Sequence, residues 1–135
     1  MTIGLLLEKA ARSLNAAERL LQAGDNDFGA SRTYYGYFYI AQALLLSMGL
    51  SYGRHGQVVA QYGLHFAKTQ RLDPTFHRLL DRAFEIRHTA DYETLPIEPD
   101  RVEELIREGR RFLAAASEYL KGIHESEAPD VPLDP

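Results

Sequence analysis

The amino-acid sequence predicts an all-α fold, an antiparallel up-and-down bundle of four long helices plus one short helix. Three observations carry that reading. Apolar residues recur every three or four positions through five segments, the period of an α-helix, and nowhere does the two-residue alternation of a strand persist. Glycine, proline and aspartate separate these segments, in the places where they stop and restart helices. The connections are short, which favours antiparallel neighbours.

In the first helix Ile3, Leu7, Ala10, Leu14, Ala17 and Leu21 form a narrow apolar seam, and Gly24 stands at its C-terminal stop. Asp25, Asn26 and Asp27 offer N-caps for the second helix. Its seam is Ala30, Tyr34, Tyr37, Ala41, Leu44 and Met48, widened by Phe38 and Leu45 and stopped by Gly49. Residues 51–56 read as a polar loop. A short third helix turns Val59, Tyr62 and Phe66 inward, weakened by about 1 kcal/mol at Gly63 relative to alanine. Asp73-Pro74 pairs an N-cap with a proline suited to the first helical turn, and the fourth seam is Phe76, Leu79, Ala83, Ile86 and Ala90. Prolines 96 and 99 break the chain again. The fifth helix runs from about Asp100 to about His124, with Val102, Leu105, Gly109, Phe112, Ala116, Leu120 and Ile123 inward. One domain over residues 1–124 results, followed at 125–135 by an acidic tail with Pro129, Pro132 and Pro135 that is expected to be disordered.

A chain of 135 residues suits a single hydrophobic core. Without cysteine it makes no disulfide, thiol nucleophile or cysteine-based zinc site. No apolar run approaches the roughly 18 residues of a membrane span, and Met1–Lys9 is too soon charged for a signal peptide, so a cytoplasmic location without membrane attachment is expected. The net charge of −4 is uneven, with +2 over residues 52–92 and −6 over residues 93–135. Sequence-blind nucleic-acid binding needs a basic field. The balance therefore weighs against an ordinary DNA-binding protein and leaves room for a local basic patch.

Two stretches interrupt the apolar pattern with polar residues: Ser31-Arg32-Thr33-Tyr34-Tyr35-Gly36-Tyr37-Phe38 and Arg87-His88-Thr89-Ala90-Asp91-Tyr92. An arginine at a helix seam is costly to bury without a partner. Arg87 and Asp91 are i,i+4 neighbours, fit either for a plain helix ion pair or for holding a guanidinium ready for phosphate. The aromatic run from Tyr34 to Tyr39 suits core or dimer contact as well as base stacking, and Arg32 beside it reaches solvent by snorkelling. His55, His65, His77, His88 and His124 show no metal-ligand spacing, and no glycine-rich phosphate loop or nucleophile elbow is present. Neither a metal nor a cofactor is expected.

Together, Ser31-Arg32-x-Tyr34-Tyr35-x-x-Phe38-x-x-Ala41-x-Ala43-Leu44-Leu45, then His55-x-x-Val58, then Arg87-x-x-Ala90-Asp91-Tyr92, resemble the small stand-alone prokaryotic HEPN-domain proteins over about residues 8–120. The resemblance implies a bundle of four to five antiparallel helices, usually a homodimer, with a link to nucleotides or RNA. It also implies a minimal nucleotidyltransferase partner in a two-gene toxin–antitoxin module. Catalytically active members resemble one another in an Arg-x4-6-His motif that acts as a metal-independent endoribonuclease across the dimer cleft. Arg87 matches the motif arginine. The histidine is due at 92–94, where the chain has Tyr92, Glu93 and Thr94, and His88 comes too soon. The spacing of the tyrosine that the partner enzyme modifies in some members is also absent.

The residues expected to bind nucleotide or RNA are Arg32, Tyr34, Tyr35, Arg87 and Asp91. The candidates for catalysis are Arg87, His55 and Tyr92, with His55 supplying an imidazole from the loop before the third helix. A phenol ionises near pH 10 in model peptides and is a poor base at neutral pH, so a hydrogen-bond donor is the role open at position 92. Three functions follow: a nucleotide- or RNA-binding module without the usual ribonuclease site, an endoribonuclease toxin using Arg87 with His55 or Tyr92, or a non-catalytic helical dimerisation module.

Overall fold

The computed structural model describes residues 2–93 and 95–126, and every regular element among them is helical. The elements are α1 (Ile3–Gln22), α2 (Asn26–Leu46), α3 (His55–Tyr62) with a π-helical turn over Gly63–Ala67, α4 (Thr75–Tyr92) and α5 (Pro99–Ser126). The α5 helix passes the expected end at His124 by two residues, and 127–135, most of the expected tail, lies outside the described residues.

Gly24 (φ 87°) and Gly49 (φ 76°) stop α1 and α2 in the left-handed conformation that costs glycine nothing. After each, the chain closes back on the helix: Asp25 N–H bonds to the Leu20 carbonyl at 2.9 Å and Leu50 N–H to that of Leu45 at 3.0 Å, the Schellman pattern. At α4 the Asp73 carboxylate accepts the Thr75 N–H at 2.9 Å, and this bond holds its pKa below the ordinary value.

The α1–α2 hairpin is antiparallel, for Ser13 meets Arg32, Leu14 meets Gly36 and Ala17 meets Gly29. Gly36 permits this closeness, since a Cβ there would sit 2.7 Å from the buried Leu14 Cδ2. α2 also touches α3, α4 and α5, so it is buried on nearly every side. Gly29 and Gly36 face α1, whereas the rings of Tyr34 and Tyr37 face the other helices.

Those rings organise the core. Phe112 of α5 meets Phe76 (4.9 Å between centroids), Tyr62 (5.5 Å) and Tyr37 (5.8 Å), joining α2, α3, α4 and α5. A smaller cluster of Ala17, Ala30, Val102 and Ile106, with Ile86, Ala90 and Ile97 against it, joins α1, α2, α4 and α5.

The expected seams are met with shifts. In α1 Leu6 is buried and Leu7 half-buried, and in α4 Leu80 joins the core. Gly63 has a packing reason beyond the weak helix position expected of it. A Cβ there would lie 2.5 Å from His77 Nε2, so its absence lets α4 approach, and the Lys68 N–H reaches back to the Gly63 carbonyl at 2.9 Å to form the π-turn.

Two fully buried tyrosines give opposite expectations for one change. The Tyr37 hydroxyl donates to the Leu105 carbonyl at 2.7 Å, whereas the Tyr62 hydroxyl has no protein partner among the described residues. Tyr37→Phe is expected to lower the unfolding free energy by about 1 kcal/mol, and Tyr62→Phe to leave it unchanged or raise it. Urea denaturation of the two variants checks this, and the reverse order would contradict the packing described.

Candidate functional site

The polar stretches of α2 and α4 meet at one seam. α2 enters with Tyr34 and Tyr35 one step apart, so one ring is turned into the core and the other toward its rim: Tyr34 is fully buried and Tyr35 half-buried. α4 brings Arg87 alongside, one turn after Phe84, which packs on Tyr34 at 5.5 Å. α3 brings His55 as its first residue; the sequence places it in a loop over residues 51–56, but the helix begins two residues earlier than that loop allows. Helical geometry then aims the imidazole at α2.

Tyr34 is the hub. Its hydroxyl and His55 Nδ1 share a hydrogen bond at 3.0 Å, and the His55 ring stacks on Phe38 at 4.3 Å. The Arg87 guanidinium lies 5.6 Å from the centroids of both Tyr34 and Tyr35. It donates to the Tyr35 hydroxyl at 3.3 Å, a long bond. Asp91 Oδ2 stands 2.8 Å from Arg87 Nε but off the N–H direction. The contact is an ion pair rather than an aligned hydrogen bond, and the buried Nε–H has no acceptor in line. Tyr35 engages one of the five N–H groups of this guanidinium. Arg32 covers Tyr35 from the other side, its Cζ 4.5 Å from the ring centroid.

Arg32, Tyr34, Tyr35, His55, Arg87 and Asp91 thus form one linked cluster. Tyr92 stands apart from it, 68% exposed, with its ring 4.9 Å from that of the exposed His88. Phe38 and Phe84, which seat His55 and Tyr34, belong to the site, although the sequence marks Phe38 only in the α2 pattern and passes over Phe84. Their role depends on which face of α2 meets α3 and α4, and spacing within one helix carries no such information.

The electrostatics follow from burial. Desolvation drives the Tyr34 pKa well above the ordinary tyrosine value, with Arg87 opposing, so the phenol stays protonated. Desolvation also lowers the His55 pKa, and the Arg87 charge adds to the effect. The imidazole is therefore neutral at pH 7 in the folded chain.

A histidine held below its ordinary value of 6.5 takes up a proton more readily when unfolded. Its contribution to stability is complete above pH 6.5 and is lost as pH falls through the folded-state value. Asp73 acts in a separate window, below 3.8. Lowering the pH from about 7 to about 5 is expected to destabilise the wild type more than His55→Gln, as read from urea midpoints. Equal pH dependence in the two proteins would show that the His55 environment does not favour the neutral ring.

Comparison with known proteins agrees with this architecture. A family model for the HEPN domain matches residues 3–120. A Methanocaldococcus jannaschii protein carrying the name "Putative toxin" is 37% identical over 116 residues, covering 85% of this chain and 79% of that protein. A UPF0332 protein of Thermotoga maritima is 33% identical over 116 residues, covering 85% and 88%. A second M. jannaschii protein with the name "Putative toxin" is 30% identical over 121 residues, covering 90% of each. With the family model matched over nearly the whole helical bundle, this chain belongs to the HEPN-domain family.

Proposed function

We propose that this protein binds a phosphate-bearing ligand, a nucleotide or RNA, at the Arg87 cluster. It does so as a homodimer and as one component of a two-gene module with a minimal nucleotidyltransferase. The observation that carries the reading is the Arg87 guanidinium, set at the α2–α4 seam against Tyr34, Tyr35 and Asp91 with N–H groups that find no hydrogen-bond acceptor among the described residues. A guanidinium oriented in this way suits the bidentate geometry of phosphate. Tyr35, half-buried at the rim, is the ring beside it within reach of a base. The toxin names of two relatives support the module context.

A second reading, a metal-independent endoribonuclease, draws on one observation. His55 comes within hydrogen-bond distance of Tyr34 beside Arg87 and is held in the neutral form that accepts a proton. Against it, Nδ1 of that ring is already engaged by the Tyr34 hydroxyl, and the exposed Tyr92 ring lies against His88.

Calorimetric titration with ATP and with a short RNA tests the binding reading. Arg87→Ala is expected to weaken binding about 10- to 100-fold, the worth of one or two charge-assisted hydrogen bonds. Unchanged affinity for both ligands would overturn it. RNA incubated with the protein in EDTA is expected to stay intact; cleavage lost in both Arg87→Ala and His55→Ala would establish the ribonuclease instead.

A further inference from the structure

A shallow groove of about 200 Å³ runs between α1 and α2, lined by Lys9, Arg12, Ser13, Ala16, Arg32 and Tyr39. Three of these six are cations, and no carboxylate lines the groove. Among the described residues none of the three cations has an ion-pair partner, whereas Arg87, Arg110 and Arg111 each have one. The contrast with a cavity of about 540 Å³ between α1 and α5 is direct. There Glu18 and Glu103 stand beside Arg107 and Arg110, and Arg110 is already held by Glu18 at 3.0 Å. In a chain of net charge −4, the α1–α2 groove is a concentrated patch of uncompensated positive charge.

The groove is continuous with the Arg87 cluster. Lys9 Nζ lies 4.9 Å from the Tyr39 ring centroid, the Tyr39 and Tyr35 centroids are 6.0 Å apart, and Arg32 lies over Tyr35, which in turn bonds to Arg87. Cations flank the two adjoining tyrosines at both ends of this path. The buried Ser13 hydroxyl donates to the Arg32 carbonyl at 2.7 Å and locks the two helices in this register. A basic groove interleaved with aromatic rings is the arrangement by which proteins follow a single-stranded backbone.

We propose that the groove is a second anion site, carrying the phosphodiester backbone of a single-stranded polynucleotide whose next phosphate lies at Arg87. The inference rests on the reading of Arg87 as a phosphate site and extends it: the ligand is a strand rather than a mononucleotide. Lys9 and Arg12 serve the strand only, while Arg32 belongs to both sites.

The test uses the full chain, a fluorescent 12-nucleotide oligouridylate and ATP, with the double variant Lys9→Gln/Arg12→Gln. Removing two phosphate contacts is expected to reduce the slope of log affinity against log salt by about 1.4, taking about 0.7 per single-strand phosphate. ATP affinity is expected to match the wild type. The charge-keeping double variant Lys9→Arg/Arg12→Lys should retain the wild-type slope, which separates lost charge from lost fold. A wild-type slope in the glutamine variant, with ATP binding still dependent on Arg87, overturns the groove and leaves the Arg87 reading standing. Reduced salt dependence with ATP binding indifferent to Arg87→Ala supports the groove and removes the Arg87 reading. Loss of an acidic protein partner with oligouridylate binding intact would make the groove a protein interface and overturn the proposal.

Discussion

Tyr34 is the constraint on which the site depends. Its ring is fully buried, so it has one place to be, and two other elements are arranged around it, α3 with His55 and α4 with Phe84 and Arg87, beside Phe38 one turn on in α2 itself. A hydroxyl placed so deep must be satisfied, and the imidazole of His55 does this. The same burial that keeps the phenol protonated and favours the neutral imidazole leaves the Arg87 guanidinium as the charged group over the ring. Geometry and charge at the seam therefore share one cause, the depth of a single tyrosine.

That depth is available because α2 is the central helix. Gly29 and Gly36 on one side bring α1 into near-backbone contact, and the space so saved goes to Tyr34, Tyr37 and Phe38 on the others. The close approach of α1 has a second consequence. It sets Lys9 and Arg12 beside Arg32, so the packing that shapes the core also assembles the basic groove. The alternation of small and aromatic residues in α2 serves structure and surface together.

Much of the fold was legible in the sequence because the signals are local. Gly24 and Gly49 act at their own φ angles, Asp73 caps the helix beside it, and the apolar period of each segment needs no partner to be read. What escaped was set between helices. Period alone does not choose Leu6 over Leu7, because both lie on the edge of the same stripe. Gly63 reads as a weak helix position until His77 is seen against it. His55 reads as a loop residue until α3 is found to start there. For the site, the Arg87–Asp91 spacing was visible, while the Lys9–Tyr39 contact across α1 and α2 was not.

The proposed function requires Arg87 to be placed for a ligand and not for the stability of the bundle. Its side chain is 18% exposed and that of Asp91 31%, so removing the guanidinium leaves the carboxylate able to meet water rather than stranded in the core. The most direct measurement is the unfolding free energy of Arg87→Met, which keeps the bulk of the side chain and removes its charge. A value equal to the wild type within about 0.5 kcal/mol, or higher, is expected, since methionine spares the cost of burying a guanidinium and the Asp91 carboxylate left behind meets water. A loss of about 3 kcal/mol or more would contradict it, and would make Arg87 a structural strut between α2 and α4.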